Sequence, residues 1–348
     1  MPSPLLLLGA GRQAAYGEFP LARIAAVHPV VLVGAAPPAW ALPLLAGHLV
    51  ADPDREADTA GVVARFAARQ RVAGVLTWSR EHLVTAARVA GQLGLPGLPH
   101  ETAPACADPA ALRTLLARHG VPPAGRDDLE GPLVAAEAVV HDEDVHIVAI
   151  TRTTPGPPPA RQPLRHIVYA HDGLLHNPFL RQAVERTGRA LGLTHGVLHV
   201  ELRVTPRGPR VIGVTPCLPG DLIPLLVERA TGVDLARAAA AVATGGLPDV
   251  SLTRQRAAAI QFAYPAATGR LTHLALAPAA AQEPSAERMV LSRQPGGLVR
   301  AASHADASDR LAHWVVVGAD PGECEGGLRG LAVHLSATVS PPSRTFAA

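Results

Sequence analysis

Residues 199–221 read HVELRVTPRGPRVIGVTPCLPGD, a segment dense in side chains that can do chemistry. Alternation makes its first half a strand, with His199, Glu201 and Arg203 on one face and Val200, Leu202 and Val204 on the other. A turn at residues 206–209, with Gly208 free to take a positive φ, leads into a second strand that ends at Thr215, Pro216 and Cys217. A carboxylate beside an imidazole can act as a general acid or base. A thiol becomes a nucleophile where a histidine lowers its pKa, and is otherwise a small buried residue. What is unusual is the isolation of Glu201. The second strand offers Gly213 and Thr215 where a partner acid would be expected, so the bland reading is a solvated sheet face or an arginine partner.

The elements that must position this ribbon can be read along the chain. The first segment alternates strand and helix: LLLLGAG (5–11), VVLVG (30–34) and VAGVLTW (72–78) are buried strands, separated by the helical patterns of residues 57–70 and 80–94. This predicts a small doubly wound α/β domain. Gly9 and Gly11 lack the third glycine and the closing acid of a dinucleotide fingerprint, so a tight strand-to-helix turn is the better reading. Asp108 and Pro109 open a helix that Gly120 ends. LVAAEAVVHDEDVHIVAI (133–150) is a hairpin around the turn at 142–144, and His141 and His146 at its corners are read as solvated edge positions. TTPGPPPARQP is read as a loop, and His166, His171 and His176 as lying along a loop. Asn177, Pro178 and Gly192 bracket a helix. Asp221 and Asp234 are expected to cap two helices covering the back of the ribbon. From Ser251 the chain mixes strands (AAAIQFAYP, HWVVVGA) with a helix over 321–335, as a small α+β cap with a frayed last dozen residues.

Composition excludes several classes. At 348 residues and 48% hydrophobic, the chain can bury a large core in two or three domains. A net charge of +2 and only 3% aromatic residues argue against a nucleic-acid groove. The N-terminal apolar run is too short for a membrane span and has no basic leader, which predicts a cytoplasmic protein. Cys106, Cys217 and Cys324 lie far apart without a CxxC, as reduced thiols. No HxH or HExxH occurs among the 16 histidines. All 31 basic residues are arginine, so no step that needs a lysine can run from this chain alone.

The order of the pieces resembles a known family. An α/β first domain, a helix ending LLARHGVP, an EGP segment entering a hairpin, then HVELRVTPRGPRVIGVTP and GDLIPLLVERATGVDL are similar to the ATP-grasp family, especially its carboxylate–amine ligases that join amino acids. AAAIQFAYPAATGRL and SDRLAHWVVVGADPGEC resemble the C-terminal domain of L-amino-acid ligases. The resemblance covers nearly the whole chain. It implies an α/β, ATP-grasp-like fold: an N-terminal doubly wound α/β domain (1–105), a helix and shortened connection (106–130), a remnant large lobe of antiparallel sheet and helices (131–250), and a C-terminal α+β domain (251–340).

Two departures from the family pattern shape the functional expectation. In the family, a small lobe with a glycine-rich flap and a strand lysine stands between the GVP helix end and the EGP hairpin and holds the triphosphate; here residues 122–130, PPAGRDDLE, span that place. In the family, the ribbon carries an acid on its first strand and Glu-x-Asn-Pro-Arg on its second, the acids binding Mg²⁺. Glu201 matches the first acid, but Gly213, Thr215 and Cys217 stand at the glutamate, asparagine and arginine positions, with only Pro216 kept. Mg²⁺ dehydrates reluctantly and needs carboxylates together with phosphates, so Glu201 alone is a weak, remnant metal ligand. Phosphoryl transfer depends on converging positive charge, which the missing lobe would have supplied.

Three readings follow. In the first, the chain is a degenerate homologue unable to use ATP, which binds a small amino-acid-like ligand or pairs with a ligase or other biosynthetic protein in amino-acid-derived or peptide metabolism. In the second, it is an ATP-independent enzyme that cyclises, rearranges or hydrolyses an amino-acid derivative. Its catalytic candidates are Glu201, His199, Cys217 and His166, the last matching a family histidine near the substrate, with Thr215, Asp221 and Arg203 binding substrate. In the third, it is a ligase whose site a partner chain or a homodimer completes. No cofactor is expected, with ATP and Mg²⁺ entering only if a partner completes the site.

Overall fold

The structure, a computed structural model, describes residues 2–11, 13–124 and 130–341. The first domain comprises β1 (Leu5–Leu8), α1 (Ala14–Ala25), β2 (Val30–Gly34), β3 (Gly47–Val50), α2 (Glu56–Ala67), β4 (Gly74–Leu76) and α3 (Leu83–Gln92). Its strands form a parallel sheet in the order β3-β2-β1-β4. All four leucines of β1 are buried because helices cover both faces, which is why the strand is an unbroken apolar run. β3 is absent from the sequence reading because GHLV alternates nothing and its side chains are only half-buried or exposed. The glycines after β1 form the expected tight turn into α1, with Gly9 at φ 70 and Gly11 at φ 76. A Cβ on Gly9 would stand 2.5 Å from the His82 ring, so the close approach itself requires glycine.

Next come α4 (Ala103–Ala107), α5 (Pro109–Arg118), β5 (Leu133–His141), β6 (Asp144–Pro155), β7 (Pro163–Tyr169), α6 (Pro178–Leu191), β8 (Gly196–Thr205), β9 (Gly208–Thr215), α7 (Ile223–Thr231) and α8 (Leu235–Ala243). The C-terminal part supplies β10 (Ala257–Ala263), β11 (Gly269–Leu276), β12 (Ala286–Leu291), β13 (Leu298–Val299), β14 (Ala312–Gly318), α9 (Pro321–Ala332) and β15 (Leu335–Ser340). Caps are as the sequence indicates for α5, α6 and α8: Asp108, Asn177 and Asp234 accept the first backbone N–H groups, and Gly192 ends α6 at φ 66.

Eight of these strands make one antiparallel sheet, in the order β12-β14-β10-β7-β6-β5-β8-β9. The expected boundary at residue 250 is therefore not a sheet boundary, because β10, β12 and β14 extend the sheet that β5 to β9 begin. A separate three-stranded sheet, β13-β11-β15, completes the C-terminal part. On one face of the large sheet α7 packs over β6, β7 and β10, and α8 over β5 and β8. Of these two helices, α8 is the one that packs on the ribbon. α6 and α9 pack on the opposite face. The two domains meet where α8 lies under β4, so closely that a Cβ on Gly74 would come within 2.5 Å of the Ala243 carbonyl oxygen.

Several expectations are corrected here. The proline-rich stretch is partly strand, since β6 runs through Thr153, Thr154 and Pro155, and His166 sits on β7, buried. Asp221 does not cap α7. It takes φ 57, Leu222 follows at φ 59, and its carboxylate is engaged elsewhere. The last helix stops at Ala332, where β15 follows after two residues. Of the dozen residues expected to fray, the first four belong to β15, and residues 342–348 lie outside the described residues. Part of the shortened connection, residues 125–129, also lies outside them. Its described start is fastened to the sheet edge: Val211 N–H donates to the Pro122 carbonyl and Ala124 N–H to that of Val211.

Candidate functional site

At the end of the large sheet left uncovered by α7 and α8, a cleft of about 1040 Å³, open mouth included, lies between the two domains. Its floor runs across five neighbouring strands, with His166 from β7, Thr153 from β6, Leu133 and Ala135 from β5, His199 and Glu201 from β8, and Thr215 from β9. The α/β domain contributes Trp78 and Arg80, and residues 218–221 form the opposite wall. The alternation of β8 explains the placement. Val200 and Leu202 are buried towards α6, which turns His199 and Glu201 to the cleft.

The register answers why Glu201 has no acidic neighbour across the strand. Glu201 is paired with Gly213, and a Cβ built on Gly213 would stand 2.3 Å from Glu201 Oε2. The carboxylate thus lies across its neighbour's backbone, in the space a second side chain would take. A bulge follows immediately, leaving Ile212 unpaired and exposed. Among the described residues the Glu201 carboxylate has no hydrogen-bond or ion-pair partner.

His199 is held from behind. Its Nδ1 donates to the carboxylate of Glu137 at 2.9–3.0 Å, and Thr151 Oγ1 donates to the same group at 2.7 Å. Glu137 is fully buried. Burial alone would lower the pKa of His199, but the charge and hydrogen bond of Glu137, helped by Glu201, outweigh it and raise it above the ordinary value. With Nδ1 taken, Nε2 is the nitrogen left for a ligand. The sequence reading missed Glu137, although a lone acid in the apolar run LVAAEAVV is a signal in itself. Its partner follows only from the pairing of Glu137 with His199 across β5 and β8.

The other end of the cleft is built differently. Asp221 accepts two hydrogen bonds from Arg310, at 2.5 and 2.9 Å, and one from His166 Nε2 at 3.2 Å. Burial would raise its pKa, yet His166 and Arg310 hold it well below the usual carboxylate range. His166 Nδ1 meets Thr153 Oγ1 at 3.0 Å, so both ring nitrogens are committed. Arg310 also donates to the Tyr264 hydroxyl and stacks 3.9 Å above the Phe262 ring. Next to it His313, fully buried, meets the Tyr16 hydroxyl at 3.3 Å. Burial, with the charges of Arg288 and Arg310, pushes its pKa down to about 4. Nothing in the sequence singled out Arg310, which lies 89 residues from Asp221 and reaches it only because β14 joins the large sheet.

Of the remaining sequence candidates, Thr215 lines the cleft and accepts a hydrogen bond from Arg80 at 2.7 Å. Cys217 does not reach the cleft. Its thiol is buried in a separate apolar pocket with Leu83, Ala87 and Val242, and burial pushes its pKa up to about 12, the reverse of what a nucleophile needs. Arg203 shares the face of Glu201 but not the cleft, its guanidinium donating to the Gly131 carbonyl at 2.9 Å. Among the described residues, a metal ion would find Glu201 as the one free carboxylate on this floor. Arg161, which no sequence argument selected, is a second exposed arginine lining the cleft, with Arg80. The cleft can therefore offer guanidinium groups and an imidazole to an anion and, among the described residues, one free carboxylate to a cation.

Among known proteins, the fold is that of ATP-grasp ligases. The L-amino acid ligase from Bacillus licheniformis superposes with a TM-score of 0.81 at 18% identity, over 98% of this chain and 100% of that one. Phosphoribosylglycinamide synthetase from Anaerococcus prevotii gives 0.79 at 16% identity, over 97% and 100%. In sequence, residues of this chain are 32% identical over 196 positions to the uncharacterized protein y4rH of Sinorhizobium fredii, 54% of this chain and 38% of that protein. Over 75 positions they are 40% identical to carnosine synthase 1 of Gallus gallus, 22% of this chain and 8% of that protein. The matches thus span well under half the length of these curated relatives. No family model matches the chain. Among the described residues no helix is long and apolar enough to cross a membrane.

Proposed function

We propose that this chain binds a small amino-acid-like or peptide ligand in the cleft and does not by itself carry out ATP-dependent ligation. The observation that carries the reading is Glu201 lying across Gly213: one free carboxylate occupies the space where an Mg²⁺ site would need a second. Two further features support it. α5 and β5 are joined by residues 119–132 alone, and the sequence contains no lysine to meet a triphosphate. Glu201 suits an ammonium group, and Arg80 and Arg161 suit a carboxylate, which is the charge pattern of a zwitterion. Likeness to an L-amino acid ligase and to a carnosine synthase points to the same ligand class.

Calorimetric titration of the full chain with ATP and Mg²⁺ is expected to show no binding at sub-millimolar nucleotide. Titration with L-amino acids and dipeptides is expected to show binding that Glu201→Gln removes. Sub-millimolar ATP binding would overturn the proposal and return the chain to the ligases, whether complete or awaiting a partner.

A second reading rests on His199, which Glu137 orients as a general acid would be oriented. With Glu201 as base, the pair could serve an ATP-independent cyclisation, rearrangement or hydrolysis of an amino-acid derivative. Turnover that survives Glu201→Gln would reject that assignment.

A further inference from the structure

The hairpin turn between β5 and β6 brings two adjacent side chains against a histidine 54 residues further along the chain. We propose that His141, Asp142 and His195 form a binding site for a borderline divalent metal ion of the Zn²⁺, Co²⁺ or Ni²⁺ class, independent of the cleft. Their ligand atoms all lie within 4.8 Å of one another. His141 ends β5, Asp142 begins the turn at φ 49, and His195 lies just before β8. The site is about 13 Å from the nearest residue of the cleft floor, since His195 and His199 stand four residues apart along an extended chain.

Three aspects of the geometry favour a shared ion over simple contact. Asp142 Oδ2 is 3.5 Å from His141 Nδ1, and Asp142 Oδ1 is 3.3 Å from His195 Nε2. These separations exceed those of good hydrogen bonds, so the three groups converge without satisfying one another. Each separation also lies near the roughly 3.3–3.6 Å between neighbouring donors about a tetrahedral ion with ligand bonds of about 2.0–2.2 Å, the two running to different oxygens of the one carboxylate. Small side-chain shifts would bring all three onto one centre.

The donors are also held in place. His195 Nδ1 meets Thr194 Oγ1 at 3.2 Å, which leaves Nε2 aimed at the cluster in the manner of an outer-sphere partner. Glu143 N–H donates to the Thr194 carbonyl at 3.0 Å and fastens the turn to the loop before β8. The two imidazoles pack edge to face, 5.0 Å between centroids. They are mostly buried, at 20% and 17% side-chain exposure, whereas Asp142 is 74% exposed. The ion would enter from the solvent side and keep an open position there. Two imidazoles and one carboxylate select against Mg²⁺ and Ca²⁺, which prefer all-oxygen sites. His141, expected to be a solvated corner, is thus a partly buried group with a defined neighbour, whereas His146 is indeed exposed.

The test is titration of the metal-free full chain with Zn²⁺, followed by calorimetry and thermal unfolding, with Co²⁺ as the spectroscopic probe. One equivalent is expected to bind and raise the Tm, and Co²⁺ is expected to develop visible ligand-field bands. His141→Gln and His195→Gln should each weaken binding at least tenfold while leaving the metal-free Tm and circular dichroism unchanged. Asp142→Asn, on the exposed side, provides a variant whose folding is least at risk and should weaken binding as well. Unchanged affinity in the His141→Gln/His195→Gln double variant would overturn the proposal, placing the ion on other surface histidines. So would an equal Tm rise with Mg²⁺, or no binding up to millimolar Zn²⁺.

Discussion

The cleft has a carboxylate at each end, and the two are built to opposite rules. Asp221 is saturated by Arg310 and His166, with a second layer of Tyr264, Phe262 and Thr153 behind them. Glu201 has no partner among the described residues, and lies over a glycine on a strand whose other cleft-facing residue, Thr215, is turned to Arg80. A buried charge is tolerable only when paired and hydrogen-bonded, so the Asp221 end is a joint that fixes the C-terminal strands to the cleft wall. A charge left free beside solvent costs the fold little and remains available. The difference locates ligand recognition at the Glu201 end and architecture at the Asp221 end.

The comparison can be broken in order of expected effect. Arg310→Ala leaves Asp221 without its main partner and removes the stacking on Phe262. It should cost about 3 kcal/mol, the low end for a broken buried pair because Asp221 keeps some solvent access. Urea unfolding would measure this, and a loss below 1 kcal/mol would mean the joint is not one. Glu137→Gln keeps the shape behind His199 but removes its charge, and should cost about 1–2 kcal/mol by the same measurement. It should also return the pKa of His199 towards or below its ordinary value.

His199 and His313 should then respond to pH with opposite signs. His199 has a raised folded-state pKa, so its contribution is fully present below about 6.5 and is lost as pH rises through the folded value. His313 is pushed down to about 4, so its contribution is present above about 6.5 and is lost as pH falls from there towards 4. NMR titration of the two rings checks both, and a common direction of shift would dissolve the contrast between the two ends.

Glu201→Gln is the smallest change in stability, within about 0.5 kcal/mol, because no described group pairs with it. It is also the variant expected to abolish binding of amino acids or dipeptides. Gly213→Ala sharpens the point, since its Cβ would clash with the carboxylate end of the Glu201 side chain and otherwise make ordinary contacts. It should leave the Tm nearly unchanged while weakening ligand binding by turning the carboxylate aside. Binding unaffected by both substitutions would move recognition away from this end.

Much of the scaffold was legible in the chain. The run LLLLGAG gave the first strand and its turn, Asn177 to Gly192 bracketed a helix, and strict alternation placed His199 and Glu201 on one face. These are local matters of period, capping and backbone freedom, which neighbouring residues decide among themselves. That the chain has no lysine, and that glycine rather than an acid stands at position 213, is also visible without coordinates.

The tertiary structure decided which groups are free and which are committed. Asp221 has the look of a helix cap, and only the joining of β14 to the large sheet brings Arg310 to it. Cys217 looks like a nucleophile two residues past Thr215, and only packing against α3 and α8 turns its thiol into an apolar pocket. Glu137 finds His199, and His141 finds His195, through strand register. The polar pairs among these join residues 54 to 89 positions apart, where loop closure and burial of the whole sheet set the outcome and no local signal encodes it.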